Sequence, residues 1–188
     1  MRESEGQSTT GYAKQVQKCK GGIDRPHNIM KKNTTKPKII KKNILFVCTG
    51  NSCRSPMAEY ILRVMLKEKE LDKTFSTSSC GTDAEAGGDM SENAKHALKT
   101  LNIPRRKHKS RQVTDALLKK AHLVICMTNR HKETIMNAKI CEKCFSMSDI
   151  SELGDVADPY MQDKEVYLKT AQSLQYSLKE LLEFIEKL

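Results

Sequence analysis

The 188-residue chain has no tryptophan, and no apolar run approaches the length of about 18 residues that a transmembrane helix needs. We therefore expect no membrane partner. No apolar segment follows the charged residues near the N-terminus, so we expect no secretory signal. The seven cysteines are an odd number without the spacing of a disulfide framework. Reduced thiols in a cytoplasmic protein are the better interpretation.

The net charge of +10 is concentrated in the first part of the chain. Residues 1–43 hold 11 of the 33 Lys and Arg residues and 3 of the 23 acidic ones, so the remainder is nearly neutral. The usual basic footprint of a nucleic-acid-binding domain is missing there, and we expect no nucleic-acid partner. Residues 1–42 have few large apolar side chains and are expected to form a disordered basic tail. This tail is either a solvated leader before a start at Met30, or an arm that binds an acidic partner.

Short apolar runs alternate with helical patterns from Asn43 onward, which indicates one α/β domain over residues 43–188. Strands are expected at 44–47, 74–79, 123–127 and 144–147. Helices are expected from Ser55, over 91–101 and 114–120, from 129, and over 163–187, with a long loop at 148–162. Ser55 is expected to cap the first helix, with Pro56 in its first turn. Strands separated by helices form a parallel sheet covered on both faces, whose site lies at the carboxyl ends of the strands.

The segment from Cys48 to Ser55 follows a buried strand and leads into a helix. Backbone N–H groups and the positive end of the helix dipole then point into one concavity, which suits an anion. Arg54 adds a planar fork for two phosphate oxygens. The nucleotide-binding pattern Gly-x-x-x-x-Gly-Lys-Ser/Thr is absent. Beside these donors Cys48 is expected to have a lowered pKa and to attack a bound phosphoryl group, the alternative being a structural cysteine beside a chance arginine.

The run Cys48–Glu59 resembles the signature of the low-molecular-weight protein tyrosine phosphatase family, in which Cys-(x)5-Arg-Ser follows a strand. The resemblance covers residues 43–188 and includes, in the family's order, segments 79–82, 108–112, 125–128 and 158–160. It implies a flavodoxin-like three-layer sandwich, with a four-stranded parallel sheet and helices on both faces. It also implies phosphorylated proteins as substrates, a phosphocysteine intermediate, a monomer, and no cofactor or metal.

The resemblance assigns roles to individual residues. Cys48 resembles the nucleophile, Arg54 the phosphate clamp, and Asp158 the general acid that protonates the leaving group and then accepts a proton from water. The implied substrate-binding set is Thr49, Gly50, Asn51, Ser52, Cys53, Ser55 and Tyr160, within which Asn51 and Ser55 also hold the loop in shape. Cys53 is expected either to form a reversible disulfide with Cys48 or to be an inert small residue. His108 is expected to be a hydrogen-bonded structural residue.

Ser52 is the residue that discriminates between substrates. Family members acting on phosphotyrosine commonly have a bulky aliphatic residue there, whereas those resembling bacterial protein arginine phosphatases have Thr. A small hydroxyl residue leaves space for a guanidinium nitrogen and offers it a polar partner. The sequence therefore predicts phosphoarginine as substrate, with phosphotyrosine as the alternative. Tyr160 can stack on either group.

Two other functional classes are weaker interpretations. Thioredoxin-coupled arsenate reductases share Asn-Ser-Cys-Arg-Ser, but they continue with Gln where this chain has Pro56 and need relay cysteines spaced differently from Cys141 and Cys144. A lone Cys-x-x-Cys is also a weak zinc pattern, and no metal is expected. A non-catalytic phosphoprotein-binding module does not need a nucleophile, clamp and acid together. The basic run 105–109 is expected to be a solvated loop.

Overall fold

The computed structural model describes residues 40–137 and 143–187. The elements, in chain order, are β1 (Lys42–Cys48), α1 (Arg54–Glu68), β2 (Phe75–Gly81), α2 (Glu92–Thr100), α3 (Asp115–Lys120), β3 (Leu123–Cys126), α4 (Asn129–Asn137), β4 (Cys144–Ser146) and α5 (Lys164–Glu186). Short 3-10 turns lie at Leu71–Lys73 and Met147–Asp149. The expected tail, apart from residues 40–42, lies outside the described residues and stays a prediction. None of the described helices is long and apolar enough to cross a membrane.

The four strands form one parallel sheet in the order β2-β1-β3-β4. The central strand β1 is buried on both faces, because its side chains alternate between two apolar clusters. Ile44 and Phe46 pack with residues of α1, α2 and α5, whereas Leu45 and Val47 pack with residues of α3 and α4. This arrangement confirms the predicted three-layer α/β fold. It also puts Cys48, the last residue of β1, at the carboxyl edge of the sheet.

Helix α5 contributes the longest buried stripe. Leu174, Leu178, Leu181 and Ile185 recur at helical spacing and are buried against the sheet side of the domain. Truncating one such leucine to alanine costs about 2–5 kcal/mol of stability. Val166, in the first turn of the same helix, is half-buried.

The sequence was wrong about the start of α1. The helix begins at Arg54, and Cys53 occupies the cap position without a side-chain capping bond. Ser55 is fully buried, and its hydroxyl donates to the Cys80 carbonyl at 3.2 Å instead of capping the helix. The hydroxyl is used to tie the loop to β2, a contact that local sequence rules do not reveal. The predicted long loop 148–162 also begins later than expected, because its first two residues belong to the 3-10 turn Met147–Asp149.

Candidate active site

The loop between β1 and α1 is held by Asn51. This residue has a left-handed backbone with φ of 52°, a conformation that Asn tolerates better than most residues. Its side-chain Oδ1 accepts from the Arg111 backbone N–H at 3.0 Å, and its Nδ2 donates to the Ser55 hydroxyl at 2.9 Å. Its carbonyl lies 2.8 Å from His108 Nε2 and accepts from Ser110 Oγ at 3.0 Å. The structural role expected of His108 is therefore confirmed.

The Cys48 thiol lies at the base of this loop and is almost completely buried. Its Sγ is 3.0 Å from the Ser55 hydroxyl. Burial raises the pKa of the Cys48 thiol, and this outweighs the hydrogen bond with Ser55, the backbone contacts and the charge of Arg54, which lower it. The lowered pKa predicted from the sequence is therefore wrong in this structure. The sequence revealed the donors around the thiol but not the depth of its burial.

Arg54 reaches from the first turn of α1 across the loop. Its Nη2 donates to Asp158 Oδ2 at 2.5 Å and to Thr49 Oγ1 at 3.3 Å, and its Nη1 donates to the Val156 carbonyl at 3.4 Å. The Arg54 side chain is 6% exposed and that of Asp158 is 46% exposed. Asp158 lies in the loop after β4, where its Oδ1 also accepts from the Tyr160 backbone N–H at 3.2 Å. The long loop thus brings a carboxylate to the loop between β1 and α1, as the sequence predicts.

The side chains meet in a cleft of about 410 Å³. Eight residues singled out from the sequence line it: Cys48, Thr49, Gly50, Ser52, Cys53, Arg54, Asp158 and Tyr160. The other two, Asn51 and Ser55, are fully buried behind the loop and do not line the cleft. In this structure their side chains hold the loop and do not face the cleft.

The cleft wall also contains residues that the sequence analysis missed. Asp83 and Glu85 follow the carboxyl end of β2 and are exposed, and among residues 40–137 and 143–187 neither forms an ion pair. Asp89 lines the same cleft but pairs with Lys95 at 2.8 Å. These three acidic residues follow a strand of a parallel sheet, and that position in the sequence could have indicated that they lie at the site. The cleft therefore has the loop between β1 and α1, with Cys48 and Arg54, on one side and carboxylates along its wall.

Cys53 lies between the cleft and α5. Its Sγ is 3.2 Å from the Tyr167 hydroxyl and donates to Ser91 Oγ at 3.4 Å. Burial, followed by the contact with Cys53, raises the pKa of Tyr167 to about 12, so this hydroxyl keeps its proton at neutral pH. With Ser52 Oγ at 3.6 Å, three hydroxyl groups contact the Cys53 thiol, and the expected disulfide with Cys48 stays a prediction.

His131, near the start of α4, is a second feature that the sequence analysis missed. It is buried, and its two ring nitrogens contact two threonine hydroxyls: Nε2 lies 2.9 Å from Thr49 Oγ1, and Nδ1 lies 2.6 Å from Thr128 Oγ1. Burial and the charge of Arg54 lower the pKa of His131 to about 4. The imidazole is therefore neutral at pH 7. No local motif indicates that it contacts Thr49, which is distant in sequence.

The remaining cysteines do not form a metal site in the described part of the chain. No group of three or more His, Cys, Asp and Glu side chains within the described residues could hold a metal ion. Cys126 and Cys144 are buried on neighbouring strands with their sulfurs 3.7 Å apart. Cys141 lies outside the described residues, so its pairing with Cys144 in a Cys-x-x-Cys relay is not described.

The profile of the family described as low molecular weight phosphotyrosine protein phosphatase matches residues 43–188. A protein-arginine-phosphatase of Bacillus subtilis is 32% identical over 149 residues, covering 77% of this chain and 97% of the relative. The low molecular weight protein-tyrosine-phosphatase PtpB of Staphylococcus aureus is 34% identical over 135 residues, covering 70% and 90%. A solved structure of YwlE arginine phosphatase, in which serine replaces cysteine and the active-site serine is phosphorylated, superimposes with a TM-score of 0.72. It is 32% identical and covers 77% of this chain and 96% of its own.

Proposed function

The chain belongs to the low molecular weight phosphotyrosine protein phosphatase family and is a cysteine-dependent protein phosphatase, and we propose that it hydrolyses phosphoarginine in proteins. In this proposal Cys48 is the nucleophile, Arg54 holds the phosphoryl group and Asp158 is the general acid. The proposal concerns one preference within a family whose named relatives include both arginine and tyrosine phosphatases.

The proposed reaction has two phosphoryl-transfer steps. The Cys48 sulfur attacks phosphorus and forms an S–P bond while the P–N bond to the guanidino group breaks, and Asp158 gives the leaving nitrogen a proton. Water then attacks phosphorus, Asp158 takes a proton from it, the S–P bond breaks and inorganic phosphate leaves. Arg54 and the loop N–H groups neutralise the equatorial oxygens in both steps. The thiol must lose its proton before attack, and the Ser55 hydroxyl, 3.0 Å from the sulfur, then turns its proton from the Cys80 carbonyl to the thiolate and stabilises it.

The position of Ser52 carries the preference for phosphoarginine. Ser52 lines the same cleft as Cys48 and Arg54, directly beside the phosphate-binding base. Its short side chain leaves room for the planar guanidino group, and its hydroxyl can accept a hydrogen bond from a guanidinium N–H. A branched aliphatic residue at this position would leave that N–H without a partner, which costs about 1–3 kcal/mol for a buried group.

The charge of the cleft wall supports the same substrate. Phosphoarginine carries a cationic guanidinium next to its phosphoryl group, whereas the phenyl ring of phosphotyrosine is uncharged. Asp83 and Glu85 line the cleft. Carboxylates in this position attract the guanidinium and contribute nothing comparable to a phenyl ring.

Phosphotyrosine is the second candidate, and one observation is compatible with it. Tyr160 lies at the cleft with 64% of its surface exposed, next to the carboxylate of Asp158. Its ring can stack on the phenyl ring of phosphotyrosine. The same ring can stack on a guanidinium plane, so Tyr160 does not by itself separate the two substrates.

The experiment compares phosphoarginine and phosphotyrosine peptides of one sequence, using the full chain and its Ser52→Ile, Ser52→Thr and Cys48→Ser variants. We expect the parent and Ser52→Thr to prefer phosphoarginine. Ser52→Ile should lose at least tenfold in kcat/KM for phosphoarginine and gain on phosphotyrosine. Cys48→Ser should be inactive on both. A parent enzyme that prefers phosphotyrosine would overturn the proposal, and turnover that survives Cys48→Ser would overturn the mechanism.

We also propose that the enzyme acts as a monomer in the cytoplasm. The proposed nucleophile, clamp and acid meet within a single copy of the chain, so a second copy is not needed to complete this set. A cysteine nucleophile must stay reduced, which a reducing compartment favours. Light scattering of the purified chain and cell fractionation test these two points. A stable dimer, or recovery of the protein outside the cytoplasm, would overturn the corresponding statement.

A further inference from the structure

We propose that His131 is a positioning residue of the phosphate site, which orients the Arg54 guanidinium by accepting a hydrogen bond from the Thr49 hydroxyl. The inference rests on the proposed role of Arg54 as the phosphate clamp. His131 does not face the cleft: it acts from behind the loop, through Thr49. It thereby couples the start of α4 to the phosphate-binding loop.

The direction of each hydrogen bond follows from counting protons. A guanidinium only donates, so the 3.3 Å contact between Arg54 Nη2 and Thr49 Oγ1 makes the threonine oxygen an acceptor. The single hydroxyl proton of Thr49 is then available for His131 Nε2 at 2.9 Å. This requires an imidazole without a proton on Nε2, and its Nδ1–H then donates to Thr128 Oγ1 at 2.6 Å. One neutral tautomer satisfies all three contacts.

The opposite orientation would disturb the clamp. If His131 donated from Nε2, the Thr49 hydroxyl proton would lose its acceptor. The hydroxyl could then turn this proton toward the Arg54 guanidinium, and the two donors would repel each other. The depressed pKa of His131, about 4, keeps the ring in the accepting form at neutral pH. Burial and the positive charge of Arg54 both favour this form.

The contact matters because Arg54 has few fixed partners. Its Nη2 is shared between Thr49 and Asp158, and its Nη1 contacts the Val156 carbonyl at a longer 3.4 Å. A phosphoryl group bound at Arg54 competes with the Asp158 carboxylate, which leaves Thr49 as the side-chain acceptor that still holds Nη2. A guanidinium held in place loses less conformational entropy when it binds phosphate.

A pair of isosteric substitutions separates the two ring nitrogens. The terminal amide of Gln reaches about as far as Nε2, so His131→Gln can still accept from Thr49. The shorter amide of Asn reaches about as far as Nδ1, so His131→Asn keeps the Thr128 contact and loses Thr49. The set is completed by Thr49→Val and by the double variant Thr49→Val with His131→Asn.

Four quantities are measured for the parent and each variant: binding of inorganic phosphate by calorimetry, kcat and KM for p-nitrophenyl phosphate, and the free energy of unfolding in urea. We expect His131→Asn to weaken phosphate binding about tenfold and to raise KM more than it lowers kcat. His131→Gln should stay within about threefold of the parent. In the Thr49→Val background, His131→Asn should have no further effect, because the two substitutions remove the same hydrogen bond.

A purely structural histidine gives a different result. Equal phosphate affinities in the Gln and Asn variants, or additive losses in the double variant, would overturn the proposal. The proposal would also be overturned if, across the variants, the loss of phosphate affinity were proportional to the loss of unfolding free energy. Failure of the proposed function is distinguishable, since a parent without Cys48-dependent turnover can still be tested by phosphate calorimetry. The preference between phosphoarginine and phosphotyrosine does not enter either assay.

Discussion

Arg54 Nη2 and Asp158 Oδ2 lie 2.5 Å apart, so the proposed phosphate clamp and the proposed general acid pair with each other. The Arg54 side chain is buried, and the Asp158 side chain is about half exposed. A phosphoryl group that binds Arg54 must displace the carboxylate from Nη2. In the proposed mechanism the displaced carboxylate takes up a proton from solvent and then gives it to the leaving group. The ion pair links occupation of the site to placement of the acid.

Replacing Asp158 with Asn should affect binding and catalysis in opposite directions. In Asp158→Asn the competing negative charge is gone, and inorganic phosphate should inhibit at lower concentration than in the parent. The leaving group receives no proton, so kcat should fall about 10²- to 10⁴-fold. Steady-state kinetics with phosphate as competitive inhibitor measures both quantities. Glu152→Gln, an exposed carboxylate on the same loop, is the matched control and should change neither. Unchanged phosphate inhibition in Asp158→Asn would contradict the role of the ion pair.

Gly81 should not tolerate a side chain. A Cβ at this residue would lie 2.1 Å from the Thr49 carbonyl oxygen and 2.9 Å from the Asn51 backbone nitrogen, both in the phosphate-binding loop. We expect Gly81→Ala to displace the loop, with at least a tenfold loss of kcat/KM and about 1–3 kcal/mol of stability. Gly88→Ala is the control, because its nearest neighbours would be 3.7 Å away. Enzyme kinetics and urea unfolding would refute this expectation if the two alanine variants behaved alike.

Oxidation should join Cys48 to Cys53. Peroxide converts the Cys48 thiolate to a sulfenic acid with release of hydroxide, and the Cys53 thiol then displaces water as the disulfide forms. Non-reducing mass spectrometry should detect this bond, and thiol should restore activity. Tyr167→Phe removes a hydroxyl that holds Cys53 Sγ and should speed disulfide formation a few-fold.

Two variants control this oxidation experiment. Cys53→Ser should lose recovery by thiol, because the sulfenic acid then oxidises further. Cys80→Ser should behave as the parent does, since Cys80 is fully buried and does not line the cleft that contains Cys48 and Cys53. An oxidised parent without a Cys48–Cys53 bond would exclude the redox role.

His131 should make the fold less stable in acid. Its pKa falls from 6.5 to about 4 on folding, so the unfolded chain binds more protons between these pH values. Stability is fully present above pH 6.5 and should be lost as the pH falls toward 4, by at most about 1.4 kcal/mol per pH unit. His131→Gln does not titrate and should show a smaller slope in urea unfolding across this window. His122, whose pKa burial also lowers, is present in both proteins. Identical slopes would contradict the prediction.

The parts of the site that could be predicted lie within one local segment. Cys48 and Arg54 are separated by a single loop, and the apolar strand before it and the helix after it are visible as patterns in the sequence. The α/β fold followed equally from strands alternating with helices. Asp158 lies more than a hundred residues away, and only the family resemblance brought it to the loop.

The rest depends on contacts between distant residues. The Ser55 hydroxyl does not cap α1 as expected, because it donates a hydrogen bond to the carbonyl of Cys80 on the neighbouring strand. The burial of Cys48, which reverses the direction of its expected pKa shift, results from its packing in the apolar cluster that also contains residues of α1, α2 and α5. His131 reaches Thr49 only because β3 lies next to β1 in the sheet. None of these relationships leaves a pattern in the local sequence.

The left-handed backbone of Asn51 has a consequence for the heat of binding. Its side chain and carbonyl are bound to Ser55, Arg111, His108 and Ser110, so the loop is ordered by the fold itself. Anion capture then requires little further ordering and buries little new apolar surface. We therefore expect the enthalpy of phosphate binding to change only slightly with temperature, corresponding to a heat-capacity change near zero. A loop that folded around its anion would instead give a large negative value.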